Sequence, residues 1–195
     1  MIVVSILFAY LLGSVSSSYI AGKMTAGVDI REHGSGNAGA TNTLRVLGWK
    51  LGLVVLIADV VKGILAVAFA HLVTNGSVTA MALSGLFAVI GHNWPVYFSF
   101  RGGKGVATTI GVLMTIAWVP SIYAALVALV LLVFTRYVSL ASLTYVTLTP
   151  LFQLFLHTSA IVIIISFVIA ALSFWRHRTN IDRLLHGREN RVFSR

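Results

Sequence analysis

Long apolar runs separated by short polar segments dominate the chain. A membrane-crossing helix needs about 20 mostly apolar residues, within a range of roughly 17–25. Runs of that kind cover residues 2–21, 51–73, 78–99, 138–156 and 158–175. The stretch 105–135 carries no charged side chain but is too long for one crossing. As a single helix it would extend about 46 Å, against a hydrocarbon core of about 30 Å. Pro120 near its middle marks a turn, so the pattern predicts two shorter helices, 105–119 and 121–135. The expected fold is an all-α integral membrane protein, a bundle of about seven transmembrane helices, with residues 1–195 in a single domain. The first run has no basic segment ahead of it and no soluble chain after it, so it reads as a span and not as a cleaved signal.

Composition agrees with lipid as the main solvent. The chain is 58% hydrophobic and 10% charged, with a mean hydropathy of +0.95. A soluble domain carries about 25% charge, and one this apolar would expose patches that aggregate. With no cysteines, disulfides, thiolate metal sites and a cysteine nucleophile are excluded. The net charge of +9 follows from retention of Lys and Arg on the cytoplasmic side, and nucleic acid is not an expected partner. With seven spans, one face collects Lys23, Arg31, Arg45, Lys50, Arg101, Lys104, Arg136, Arg176, Arg178, Arg183, Arg188, Arg191 and Arg195, which is all of the 14 Lys and Arg except Lys62. If 105–135 crossed once, Arg136 and the basic tail would move to the opposite face. The positive-inside rule therefore favours seven spans, an outer N-terminus and a cytoplasmic C-terminus.

Three polar segments fall on that face. The first runs Gly34-Ser35-Gly36-Asn37-Ala38-Gly39-Ala40-Thr41-Asn42-Thr43-Leu44-Arg45. Glycines let the backbone turn sharply and approach a ligand, and successive N–H groups form a nest for an anion. Ser35, Asn37, Thr41 and Asn42 add neutral polar groups, and Arg45 adds a fixed cationic fork. Gly34, Gly36 and Gly39 match G-x-G-x-x-G, but no strand precedes them. Ala40 stands where a Walker loop carries Lys, so nucleotide hydrolysis is not expected. The bland alternative is a polar loop with turn glycines.

The second segment runs from Gly91 through His92, Asn93, Trp94 and Pro95 to Arg101-Gly102-Gly103-Lys104-Gly105. Its basic glycine turn opens a helix, whose N-terminus suits an anion. The alternative is a membrane-flanking basic turn. His92 and Asn93 are candidates for substrate contact or for packing. The third segment is the tail from Arg176 through His177, Asn180 and Asp182 to Glu189, which alone would read as a basic tail on anionic lipid. His177 and Asp182 have an H-x4-D spacing that marks acyl-CoA-dependent acyltransferases, but residues five apart sit about 140° round a helix, so the match reads as accidental. Asp59 and Lys62 can pair at i,i+3 inside the second span, as a functional group or as a structural tie between helices. Ser142 and Gln153 are also polar at membrane depth.

Taken together, these residues resemble the bacterial glycerol-3-phosphate acyltransferases that use acyl phosphate, the PlsY family. The resemblance rests on the GSGNxGATNxxR loop at Gly34–Arg45, the GHxxPxxxxFxGGKGVAT segment at Gly91–Thr108, the RHxxNIxRLLxGxE tail at Arg176–Glu189 and D-x-x-K-G at Asp59–Gly63. Ala38 and Trp94 depart from the commonest residues at their positions without removing a donor. The resemblance implies transfer of a fatty acyl group from acyl phosphate to the 1-hydroxyl of glycerol 3-phosphate. The products are 1-acyl-glycerol 3-phosphate (lysophosphatidic acid) and inorganic phosphate. The few carboxylates and histidines are not arranged as metal ligands, no cofactor is expected, the lipid bilayer surrounds the chain, and the charge distribution puts the site on the cytoplasmic side of what the resemblance implies is the bacterial inner membrane. The expected catalytic residues are Ser35, Asn37, Arg45, Lys104, His177, Asn180 and Glu189. The expected substrate-binding residues are Gly34, Gly36, Gly39, Thr41, Asn42, His92, Asn93, Gly102, Gly103 and Ser142. Glu189 is expected to orient the basic tail or to act as a base; His177 and a substrate phosphate oxygen are the other candidate bases, and an acyl-enzyme on Ser35 competes with direct transfer. A transporter of an organic phosphate anion is the alternative function. Polar segments confined to one face, without an internal repeat, argue against it.

Overall fold

The computed structural model describes residues 1–192; Arg195, counted above with the basic face, lies outside them. Regular structure among the described residues is helical: α1 (Ile2–Gly13), α2 (Ser17–Ala26), α3 (Ala40–Leu47), α4 (Trp49–Val73), α5 (Val78–Asn93), α6 (Val106–Ile116), α7 (Trp118–Thr135), α8 (Val138–Phe155), α9 (Ala160–Arg176) and α10 (Arg178–Leu185). Short 3-10 turns add Ile30–Glu32 and Val96–Phe98. The helices pack as two compact groups, residues 1–116 and residues from 117 onward.

Each apolar run predicted from the sequence is helical, but the boundaries differ in three places. The first run is not continuous: α1 stops at Gly13 and α2 starts at Ser17. The fourth run breaks at Ala117 and not at Pro120. Pro120 lies in the first turn of α7, where no intrahelical carbonyl awaits its missing N–H. The third run ends at Asn93 and not near 99, because Pro95 disfavours helical backbone at Trp94. By length and composition α1 with α2, α4, α7 and α8 can each cross a bilayer, and α9 with α10, bent by 64°, makes a fifth. At 11 residues, α6 reaches only about 16 Å, roughly half of a hydrocarbon core.

Small residues set the packing of the first group. Lipid tails are as apolar as leucine, so helices in a bilayer associate by close backbone approach and hydrogen bonding. Gly13 of α1 rests on the backbone of Ala88 in α5, and Gly91 of α5 rests on the Tyr10 carbonyl. The Tyr10 hydroxyl donates to the Trp94 carbonyl at 3.0 Å. Where α4 crosses α6, Gly63 faces the Thr108 carbonyl and Gly111 faces the Val60 carbonyl.

The gap between α1 and α2 leaves backbone groups that no helix satisfies, which is costly in hydrocarbon. Lys62 of α4, 5% exposed, donates to the Val15 carbonyl at 2.9 Å. Its partner Asp59, 1% exposed, lies 2.9 Å from the ammonium and accepts the Ser17 hydroxyl at 2.9 Å. The intrahelical pair expected from the i,i+3 spacing thus also bridges the broken first run.

In the second group, Arg136 closes α7 with a left-handed φ of 59°. The Val192 N–H donates to the Arg136 carbonyl at 2.8 Å, so the tail returns to the α7–α8 turn. Arg191 stacks over Tyr137, with 5.5 Å from the guanidinium carbon to the ring centroid, and Arg178 over Trp175 at 5.6 Å. Such aromatic–basic pairs suit a membrane–water boundary.

The α4–α6 crossing generates a test. A Cβ on Gly111 would meet the Val60 carbonyl, with the Val60 carbonyl carbon at 2.9 Å and the Ile64 nitrogen at 3.2 Å. These are backbone atoms and cannot rotate away. Gly111→Leu is expected to cost about 2 kcal/mol or more through forced separation of the helices. The check is thermal unfolding in detergent, where an unchanged midpoint would contradict this packing.

Candidate active site

The glycine loop is shaped by two side chains that no substrate need touch. Asp29 accepts the Arg31 backbone N–H at 3.0 Å, and the Arg31 guanidinium lies 2.7 Å from its carboxylate. The hydrogen bond from Arg31 holds the Asp29 carboxyl down at about 2, so the pair stays charged at any physiological pH. Arg31 also donates to the Phe98 carbonyl at 2.9 Å and sits over the Tyr19 ring at 5.0 Å. It therefore ties the loop to the 3-10 turn that precedes the GGKG segment. In the sequence Arg31 stands out only as a basic charge; the Asp-x-Arg spacing at a turn is the signal of its role.

Asn42 is the second organiser. It is 1% exposed. Its amide oxygen accepts the Ser35 N–H at 2.8 Å, and its amide nitrogen donates to the Ile30 and His33 carbonyls at 3.0 Å each. These contacts commit the Asn42 side chain to folding the loop. Gly34 and Gly36 take left-handed φ of 61° and 70°, and a Cβ on Gly34 would strike the Asn42 amide oxygen. Glycine at 34 is thus demanded twice. Gly39 caps α3 from extended backbone, and the first N–H groups of α3 face outward along its axis without intrahelical acceptors. Ser35 and Arg45 are exposed, and Asn37 and Thr41 are half-buried.

The first and second sequence segments meet at Gly103. Its N–H donates to the His92 carbonyl at 3.1 Å. A Cβ there would strike His92 Nε2 and lie 2.5 Å from the Ala38 carbonyl. Only hydrogen fits between the glycine loop and the imidazole. Gly102 is packed on the His92 carbonyl and on Pro95 Cδ, and Gly105 turns with φ of 79°. Lys104 is half-buried between them. Asn93 is fully buried, with its amide oxygen beside Gly105. On the far side of the imidazole, Nδ1 lies 3.3 Å from the Thr108 hydroxyl and 3.7 Å from the Asp59 carboxylate.

The tail segment builds a separate cluster in the second group. Glu189 is 8% exposed. One carboxylate oxygen accepts Ser139 Oγ at 2.9 Å and Asn180 Nδ2 at 2.7 Å; the other accepts Arg183 Nε at 2.8 Å. Burial pushes this carboxyl up, but hydrogen bonds from Arg183, Asn180 and Ser139 outweigh it and hold it below its ordinary value. A carboxylate so held is a poor base, so the geometry favours orientation of the tail. His177, 3% exposed, carries its Nδ1 2.8 Å from the Ser173 carbonyl. A carbonyl only accepts, which puts a proton on Nδ1. Asp182 does not meet His177. It is exposed and lies 3.3 Å from His186, so the H-x4-D spacing forms no pair. The Ser142 hydroxyl turns back to the Val138 carbonyl at 2.7 Å; Ser139, one turn earlier, is the serine that reaches the cluster. Sequence missed Ser139 and Arg183 because helical phase against the tail is set by tertiary packing. An open apolar groove of about 520 Å³ runs beside this cluster, lined by Leu140, Leu143, Thr144, Phe174 and Leu184 among others.

Comparison with known proteins converges on one family. The model of the family "Glycerol-3-phosphate acyltransferase" matches residues 3–187. A glycerol-3-phosphate acyltransferase of Shouchella clausii (strain KSM-K16) is 51% identical over 98% of this chain and 96% of its own length. That of Bacillus subtilis (strain 168) is 41% identical, covering 98% of both. The crystal structure of PlsY (YgiH), an integral membrane glycerol 3-phosphate acyltransferase, in its glycerol 3-phosphate form superposes with a TM-score of 0.92 at 40% identity, over 98% of this chain and 95% of that one. Its lysophosphatidic acid form gives a TM-score of 0.89 at the same identity. The chain belongs to the glycerol-3-phosphate acyltransferase family and is a multi-pass membrane acyltransferase.

Proposed function

We propose that this chain moves a fatty acyl group from acyl phosphate to the 1-hydroxyl of glycerol 3-phosphate, releasing inorganic phosphate and 1-acyl-glycerol 3-phosphate. The observation that carries this reading is the junction at Gly103, where the GGKG turn, the glycine loop and His92 pack without room for a side chain. Backbone of this kind, beside Lys104 and the N-terminus of α6, suits a phosphate. Solved structures of a relative in glycerol 3-phosphate and lysophosphatidic acid forms support the same substrate and product.

The chemistry asks little of acid–base catalysis. Acyl phosphate is a mixed anhydride with a good leaving group. The glycerol hydroxyl oxygen forms the ester bond to the acyl carbon as the carbon–oxygen bond to phosphate breaks, and the hydroxyl proton ends on phosphate. Positioning and stabilisation of developing negative charge can supply most of the rate. We assign the donor phosphate and that charge to the backbone of Ser35–Thr41 with Lys104. Arg45, Lys104, His177 and Asn180 are proposed as ligands of glycerol 3-phosphate, and the apolar groove beside Leu143 and Phe174 as the place of the acyl chain. Direct transfer is favoured over an acyl-Ser35 intermediate. Trapping of acyl-Ser35 by mass spectrometry would overturn that assignment. The distribution of Lys and Arg supports a site on the cytoplasmic side of the bacterial inner membrane.

Purified protein in lipid, given glycerol 3-phosphate and palmitoyl phosphate, is expected to release phosphate and form lysophosphatidic acid, with palmitoyl-CoA inactive in a parallel tube. Lys104→Ala and Arg45→Ala are each expected to lower kcat/KM about 100-fold or more. Activity with the thioester alone, or flux of glycerol 3-phosphate into vesicles without acylation, would contradict the reading. For orientation, the absence of natural cysteines makes introduced ones clean reporters. In intact cells Thr79→Cys is expected to react with an impermeant maleimide and His186→Cys only after lysis; the reverse pattern would invert the topology.

A further inference from the structure

We propose that Asp59 is a positioning residue for the GGKG turn, acting through His92 and Thr108, with Lys62 holding it in place. This goes beyond the ligand assignments above and rests on them for its kinetic test.

A buried Asp–Lys pair is weak evidence of stabilisation, because desolvation offsets most of the attraction and an apolar pair often serves as well. What else the two charges touch is therefore informative. Lys62 reaches the Val15 carbonyl at 2.9 Å, and Asp59 accepts from Ser17 at 2.9 Å. Both contacts to Asp59, from Ser17 and from Lys62, fall on one carboxylate oxygen, Oδ1. The same oxygen lies 3.7 Å from His92 Nδ1, so Ser17, Lys62 and the imidazole share one acceptor.

That nitrogen also lies 3.3 Å from the Thr108 hydroxyl. Thr108 is in the first turn of α6, directly after the GGKG residues. The opposite edge of the same ring, Nε2, abuts Gly103, and the His92 carbonyl accepts the Gly103 N–H. The imidazole is thus wedged between the turn and the buried carboxylate. Gly63, next to Lys62, brings α4 against the Thr108 carbonyl. The three fixed residues of Asp59-x-x-Lys62-Gly63 therefore converge on the start of α6. Asp59 and Thr108 bias the ring so that Nδ1 stays at the inner side and Nε2 stays against the turn. Ordered in this way, the turn presents its backbone at a fixed distance from the substrate phosphate, where a misplacement of about 1 Å can cost 100-fold in rate.

The test compares wild type, Asp59→Asn, His92→Gln and the double variant, using palmitoyl phosphate and glycerol 3-phosphate, alongside amide exchange by mass spectrometry of peptides covering residues 101–109. Each single change is expected to lower kcat/KM about 10- to 100-fold and to speed exchange in that peptide but not in the middle of α5. The double variant is expected to be no slower than His92→Gln alone, because residues acting in series are not additive. Thr108→Val removes the contact to the ring without unbalancing a charge and is expected to give the same exchange signature, which covers the case of an Asp59→Asn protein that does not fold. Full activity of Asp59→Asn, strictly multiplicative losses in the double variant, or unchanged exchange at 101–109 would overturn the proposal. An inactive wild type would instead sink the acyl-transfer reading, with the exchange measurement still deciding the structural link.

Discussion

An interrupted helix in hydrocarbon must have its open backbone groups met by something other than water, and in this chain Lys62 and Asp59 meet them. The first apolar run breaks between Gly13 and Ser17, and the ammonium of Lys62 closes on the Val15 carbonyl there. That interaction fixes α2 against α4 and sets where the following loop begins. Asn42 then folds the loop on itself, and Arg31 fastens it to the turn at Phe98. The anion-facing glycines lie at the end of this sequence of constraints. Two charges inside the first group thus relate a helix break to the placement of a phosphate-binding turn.

Glycine acts in two ways along this path. Gly13, Gly63, Gly91 and Gly111 remove side chains where helix backbones touch, which is how bundles without an aqueous hydrophobic force reach close packing. Gly34, Gly36 and Gly105 supply left-handed backbone. Gly103 does neither, since no left-handed φ occurs there. Its place is required because the Ala38 carbonyl and the His92 ring occupy the volume of a side chain.

The apolar runs were legible in the sequence because periods of about 20 residues report bilayer thickness directly. The meeting of the glycine loop with the GGKG turn was legible too, since both were placed on one face by charge. The break at Ala117 was not, because Pro120 is compatible with the first turn of a helix and so punctuates less sharply than it reads. The commitment of Asn42 to the loop, of Ser139 to Glu189, and of Ser142 to its own helix depended on rotational phase and tertiary proximity, which spacing alone does not carry. The Asp59–Lys62 pair was read correctly as intrahelical; its reach to Val15, Ser17 and His92 required the packed helices.

The central claim is that the glycine loop and Lys104, held together by the packing at Gly103, form the phosphate site. The most direct measurement is calorimetric binding of glycerol 3-phosphate and of inorganic phosphate to wild type and to Gly103→Ala, both in the same detergent and both shown to be folded by their melting curves. The added methyl is expected to push the GGKG turn away from Ala38 and His92 and to weaken binding of at least one of the two anions tenfold or more. Equal affinities for both anions in a folded Gly103→Ala protein would contradict it and move the phosphate site elsewhere.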